Sequence, residues 1–388
     1  MADGPLSGFR ILDLTQVVSG PYCTQTLGDL GADIVKVEPP DGDSTRRMGI
    51  PRKNGVSASF LAFNRNKRSI VVDLRKKQGA NLIRMMVGKF DAMIENNRPG
   101  VADRLGIGYA EIRKVNHKIV YCAIHGFGPK GPRANAPAFD PVIQGFSGMA
   151  AIQGGRGEKP VAVRMALADK ISGMTAALSI VAALHAARNR GVGQYIRIPM
   201  VEAMMAFAAN DSMIGHAFPE DDFKDQVPKS FSLDPFRTKD GYVTISPFTD
   251  DQWQRLTTAA GHPEWWWISD RRERLRASLK GMAELFAGMT TERCLGIIRE
   301  ADCPGGPVHS YDTLFNDPEV IANESFVTYE HPEAGTIRTP RPGWRFSETP
   351  ARVARRPPLL GEHTEEILRE AAIPRESIEE LRNDRVIN

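Results

Sequence analysis

Residues 9–37 constrain the fold more than any other stretch. Phe9–Leu14 is a short apolar run suited to a strand, Pro21–Leu30 reads as a helix with Gly31 as its stop, and Asp33–Val37 is a second strand-like run. Two strands bridged by a helix within about 30 residues form a parallel β-α-β unit, because the crossover returns the chain to the same edge. A parallel sheet needs helices on both faces, so the rest of the chain must supply more of both elements. It does. Ser69–Leu74, Asp91–Glu95, Lys118–Ile124 and Gln194–Pro199 read as further strands, while Lys76–Gly88, Phe139–Ala150, Ala166–Arg190 and Met200–Ala209 carry helical spacing. The expected class is α/β.

The usual ligands of such sheets leave signatures that this chain lacks. Its first turn reads Gln16, Val17, Val18, Ser19, Gly20, Pro21 rather than G-x-G-x-x-G, so the dinucleotide reading loses its motif. There is no Walker loop and no H-E-x-x-H, and Gly145, Phe146, Ser147, Gly148 only approaches G-x-S-x-G. Four cysteines without a C-x-x-C pair predict neither a disulfide framework nor a zinc centre, and no metal is expected. Fifty basic residues against 47 acidic ones leave a net charge of +3, too little to predict a nucleic-acid partner. No run of about 18 apolar residues predicts a membrane span. Without a leader at Met1–Gly8 or a terminal S-K-L, a cytoplasmic protein is expected.

At 388 residues, two or three domains are expected from a prior of roughly 150 residues each. Composition shifts at Phe218, and a smaller α+β domain is expected over 233–326, with Trp265, Trp266 and Trp267 in a packing or lid role. Residues 1–217 and 331–388 would form the large domain, and 218–232 and 327–358 would be linkers, the second being rich in proline. Two helical stretches within Gly361–Arg385 are too short to fold alone and should pack back onto the large domain.

Several places could carry chemistry. Asn64–Arg68 is a basic cluster beside a strand, which fits either a solvated edge or a phosphate-bearing ligand. Asn96–Gly100 is a turn that opens a short helix containing Arg104. His125–Pro132 is glycine-rich and lies at a strand end, where backbone can approach a ligand. Asp169 stands at the start of a long helix. It suits an N-cap, or a nucleophile ionised at its ordinary pKa.

The order of short motifs narrows these options. Leu6, Ser7 and Gly8 lead into Ile11, Leu12 and Asp13; Gly28, Asp29, Leu30, Gly31, Ala32 and Asp33 lead into Val35, Lys36, Val37, Glu38 and Pro39. There follow Asn64, Asn66, Lys67 and Arg68; Glu95, Asn96, Arg98, Pro99 and Gly100; Asp103, Arg104, Leu105 and Gly106; and Gly126, Phe127, Gly128, Gly131 and Pro132. Ala168 and Asp169, then Gly191, Gly193 and Gln194, then Leu360–Thr364 complete the series. In this order the chain resembles the class III CoA-transferase family, which also contains the α-methylacyl-CoA racemases.

The resemblance implies a Rossmann-like large domain built from both chain ends, a smaller α+β domain and an interlocked homodimer. It places Asp169 on the family's catalytic aspartate and Lys67, Arg68, Asn96 and Arg104 on its coenzyme A positions. The implied substrates are an acyl-CoA thioester and a small carboxylic acid, with no permanently bound cofactor, no ATP, no metal, no nucleic acid and no membrane. The Gly126–Gly131 backbone is a candidate for holding an oxyanion. His125 and Arg164, near the site in sequence, could hold a second carboxylate, and Gly126 and Phe139 are candidate substrate contacts.

Two departures shape the choice of reaction. Racemases of the family place a histidine where this chain has Phe139, and a phenyl ring has no proton to give. Formyl-CoA transferases carry a glutamine where Val18 falls and a glycine run where Ser246, Pro247, Phe248 and Thr249 stand, so oxalate and formate are not expected substrates. Transfer of coenzyme A between carboxylic acids is the expected activity. A racemase or isomerase acting on acyl-CoA, and a non-catalytic CoA-thioester-binding protein, are the alternatives.

Overall fold

The computed structural model describes residues 4–48, 51–155, 158–220 and 234–388. The chain divides into two compact units, Met1–Lys224 with Glu324–Asn388, and Asp225–Asn323. The first is built on β1 (Arg10–Asp13), α1 (Ser19–Asp29), β2 (Asp33–Glu38), β3 (Lys67–Val71), α2 (Lys77–Met86) and β4 (Ala92–Glu95). It continues through α3 (Val101–Arg104), α4 (Tyr109–Val115), β5 (Val120–His125), α5 (Asp140–Phe146), α6 (Met149–Gly154), α7 (Leu167–Arg190), β6 (Tyr195–Pro199) and α8 (Met200–Ser212). The six strands are parallel in the order β3-β2-β1-β4-β5-β6. The order reverses between β1 and β4. In doubly wound sheets that reversal opens a crevice at the carboxyl ends of the strands, where ligands bind.

Successive strand residues face opposite sides, which creates two apolar layers. Leu12, Val35, Ile70, Met93 and Tyr121 pack into one, together with Ile83 and Met86 of α2. Ile11, Ile34, Ile94 and Cys122 pack into the other with Leu27 of α1, Ala176 and Ile180 of α7, and Met204 of α8. Each fully buried side chain of this kind contributes about 1.5–3 kcal/mol, so double-sided burial fixes the sheet in place.

Helix α7 runs close beneath α1. A Cβ on Gly173 would stand 2.5 Å from the Ser19 carbonyl oxygen, so only glycine permits the approach. Contrary to the sequence expectation, α7 is long and apolar enough to cross a membrane. Its Ala168, Ser172, Gly173, Ala176, Ala177, Ile180, Ala183 and Leu184 are buried, which is the pattern of a core helix. It ends at Gly191, whose φ of 72° is the left-handed stop.

The second unit carries β7 (Phe236–Arg237), β8 (Tyr242–Ile245), α9 (Asp250–Ala259), α10 (Arg271–Ala287), α11 (Thr291–Glu300) and β9 (Gly305–Pro307). Its antiparallel sheet, ordered β9-β8-β7, packs Val243 and Ile245 against Leu256, Met282, Phe286 and Ile297. Trp265 and Trp266 join this core, whereas Trp267 is exposed.

Two expectations need correction. The connection expected over 327–358 opens with a hairpin, β10 (Phe326–His331) and β11 (Gly335–Pro340). Pro332 sits in its turn and Pro340 at its end, so neither removes an interior ladder bond. The single helix expected over Phe139–Ala150 is two, because Gly148 adopts a φ of 86° between α5 and α6. The linker expected over 218–232 lies largely outside the described residues. After the hairpin, α12 (Thr364–Glu370) and α13 (Arg375–Asn383) place Ile367, Leu368 and Ile378 in the same layer as Leu12 and Val35.

Candidate active site

Asp169 is the third residue of α7, and it does not cap that helix. The N-cap is Ala166, which offers no side chain to the free N–H groups. The cap comes from another element: the Asp169 N–H donates to Asp140 Oδ2 at 3.1 Å. Asp140 opens α5, and its Oδ1 accepts from Gln144 Nε2 one turn later. Gln144 in turn accepts from the Val163 N–H at 2.8 Å and donates to the Val163 and Met165 carbonyls. Residues 163–169 are thereby clamped to α5.

This setting changes the chemistry of Asp169. Burial and then the neighbouring Asp140 carboxylate push its pKa up to about 7, against a smaller opposing pull from the Ser19 hydroxyl, which donates to it. The expectation of a carboxyl ionised at its ordinary value is therefore revised. Near neutral pH it exists in both forms.

Asp169 faces a cavity of about 450 Å³. The turn Gln16–Ser19 after β1, Asn96–Pro99 after β4, Ile124–Gly126 at the end of β5, Ala136–Phe139 and Met200 complete its wall. The cavity therefore sits at the strand-order reversal, where the fold predicts a site. Asn96 bridges that reversal, accepting from the Gln16 N–H at 2.9 Å and donating to the Gln16 carbonyl at 2.8 Å. These bonds restrain Val17, whose φ of 71° is a strained conformation for a β-branched residue. His125 is 9% exposed, with Nε2 3.7 Å from Glu95 Oε1. A Cβ on Gly126 would stand 2.4 Å from Ala138 Cβ, so glycine lets the two walls meet. Phe139 is 69% exposed and presents its ring on the wall. A second cavity of about 380 Å³ shares Pro99 and His125 with the first.

Asn96, His125, Gly126 and Phe139 thus join Asp169, while the other expected residues do not. Lys67 is wholly buried, and its ammonium donates to Asp13 at 3.1 Å, the Pro21 carbonyl at 3.0 Å and Asn64 at 3.0 Å. An ammonium has three donors, so none is left for a phosphate. Arg68 points to the opposite edge of the sheet, bonding Asp33, Glu366 and Glu370 through all its nitrogens. Neither of these two expected CoA-binding residues lines the cavity that holds Asp169. Arg104 is exposed in α3, beyond the cavity wall, and makes no ion pair among the described residues. Arg164 is likewise exposed and is not part of the wall. Of the Gly126–Gly131 stretch expected to hold an oxyanion, Gly126 alone lines this cavity.

Three residues escaped the sequence reading. Ser19 lay inside the failed dinucleotide motif, Asp140 beside the position a racemase would use, and Arg98 next to the chosen Asn96. Arg98 is exposed on the wall without an acidic partner among the described residues.

Among the described residues no group of side chains is arranged to hold a metal ion. The model of CoA-transferase family III matches residues 6–364. The succinyl-CoA:glutarate CoA-transferase of Mus musculus is 34% identical, the match covering 94% of this chain and 86% of that protein. The succinate–glutarate CoA-transferase of Agrobacterium fabrum is also 34% identical, over 94% and 95%. The formyl-CoA:oxalate CoA-transferase of Streptomyces avermitilis is 32% identical, over 93% and 94%. Among solved structures, a CAIB/BAIF family protein from Brucella suis superposes with a TM-score of 0.82 at 30% identity, over 95% and 100%. The chain belongs to CoA-transferase family III and is a transferase of the kind that moves coenzyme A between acids.

Proposed function

We propose that the chain transfers coenzyme A from an acyl-CoA to a free carboxylic acid with Asp169 as nucleophile. The observation that carries this reading is the placement of Asp169 on the wall of the cavity at the strand-order reversal. An oxygen of its carboxylate attacks the thioester carbonyl; the C–S bond breaks and the pair of electrons leaves on sulfur. The thiolate then attacks the Asp169 carbonyl, releasing the first acid and leaving an aspartyl-CoA thioester. The incoming acid reverses both steps. Each thioester lost is replaced by another, so no other energy source is required.

Arg98 is a cation of the wall, which it shares with His125, and Arg104 follows in the next helix. We assign Arg98 and Arg104 to coenzyme A phosphates, for which a guanidinium fork is suited. Asn96 holds the Gln16–Ser19 turn. His125 would meet the far carboxylate of a dicarboxylic acid, the substrate class in the names of the mouse and Agrobacterium relatives. Exposed Val142, Phe146, Leu178, Met205 and Phe207 form apolar surface suited to a second copy, supporting a homodimer. Sedimentation of the protein tests that state.

The activity is tested by incubating the protein with succinyl-CoA and a panel of acids in D2O and weighing the CoA thioesters formed. A new thioester that needs both the acid and Asp169, lost on the order of 10³-fold or more in Asp169→Ala, is expected. Deuterium entering an acyl-CoA without an acceptor would overturn transfer in favour of racemase chemistry.

A further inference from the structure

Asp140 is more than a convenient cap. An asparagine or serine would satisfy the Asp169 N–H equally well, without a second charge beside the first. The Asp140 carboxylate cannot turn away, because one oxygen accepts from Gln144 and the other from the Asp169 backbone, and the residue is 7% exposed. The remaining groups on the cavity wall are few. His125 stands at the end of β5 with Glu95 behind it, Arg98 follows β4, and Ser19 and Met200 come from α1 and α8. Arg98 and a protonated His125 would favour an ionised Asp169; Asp140 opposes it.

Resting on Asp169 as nucleophile, we propose that Asp140 is a positioning residue that makes the free, ionised nucleophile costly and so favours its acylated forms. When Asp169 attacks the thioester, its negative charge departs with the CoA sulfur. The resulting anhydride is neutral at residue 169, and the repulsion from Asp140 disappears. The aspartyl-CoA thioester is neutral there too, since the charge has then left with the first acid. Only on return to free enzyme does the pair of carboxylates face each other again. The same bond aims the start of α7, so charge and orientation are set by one side chain.

Infrared spectroscopy of substrate-free protein carrying ¹³C-labelled aspartate follows the Asp169 carboxyl directly, with Asp169→Asn as the subtraction. In Asp140→Asn, which keeps an acceptor oxygen but loses the charge, the Asp169 titration should move down by about one unit, a tenfold change in ionised fraction. Asp140→Ser serves as a second neutral cap, and Asp140→Glu, which retains the charge, should move it less. After rapid quenching with equimolar succinyl-CoA, protein mass should show several-fold less coenzyme A attached to residue 169 in the neutral variants. An unmoved titration in folded Asp140→Asn and Asp140→Ser overturns the proposal. An Asp169→Ala variant that still transfers coenzyme A would instead overturn the nucleophile itself, whatever the titration shows.

Discussion

Asp13 closes β1 and Asp169 opens α7, and both carboxyls are withdrawn from water within the same unit. Burial raises the pKa of each, yet the outcomes diverge. Around Asp13 stand Lys67, Lys36, Thr15 and Thr24, and together they outweigh burial and hold its carboxyl below the usual range. Lys36 also pairs with Asp43 at 2.9 Å and donates to the Thr15 carbonyl. Around Asp169 stand one hydroxyl and another carboxylate. A structural charge is matched on every side; a charge kept for chemistry is left partly unmatched.

The largest test breaks the matched set. Lys67→Met leaves Asp13 buried beside fewer cations, and stability should fall by about 3–5 kcal/mol in urea unfolding. If Lys67 served a phosphate instead, the loss would fall on the donor KM and leave stability nearly intact.

The next removes the unmatched charge. Because the Asp169 pKa is raised on folding, the folded state binds the extra proton between about pH 4 and pH 7. Its favourable contribution is whole below pH 4 and is lost as pH rises through 7. Asp169→Asn should therefore be more stable than the parent at pH 8.5, on the order of 1–3 kcal/mol, and no more stable near pH 4. Calorimetry at the two pH values reads this. Equal gains at both would mean that charge is not the cause.

Smaller effects are expected at unmatched cations. Arg98→Ala and Arg104→Ala should each raise the donor KM by roughly tenfold while changing stability by less than about 0.5 kcal/mol. A stability loss without a KM change would return them to the structural class. Arg164→Ala, exposed and away from the wall, should leave the acceptor KM within about twofold. A larger rise would bring residue 164 into the site.

How much of this was legible in the sequence follows from the same contrast. The parallel sheet could be read because period and spacing report it locally. Asp169 could be found because motif order marks it. Lys67 and Arg68 fall away from the Asp169 cavity because a basic residue in a motif does not say where its donors point, and here they point to Asp13 and to Asp33 at the start of β2. Asp140 and Ser19 matter only through neighbours brought from distant segments, which no local pattern encodes. The hairpin of Phe326–Pro340 was hidden by its prolines, although Val327, Tyr329, Thr336 and Arg338 show the alternation of a two-stranded ribbon.

The apolar layer that holds Leu12, Val35 and Ile70 is closed by Ile367, Leu368, Ile378, Val386 and Ile387. During translation the sheet emerges first, the whole of Asp225–Asn323 comes next, and only then do the segments that cover that face leave the ribosome. Until then a nascent chain carries one finished face and one covered only in part, by α2 and by Ala102, Ile107 and Ile112. The order of synthesis thus makes this enzyme dependent on protection of that half-covered face, and a frameshift or stop ahead of Ile367 would release a sheet with part of one apolar face open rather than a smaller transferase.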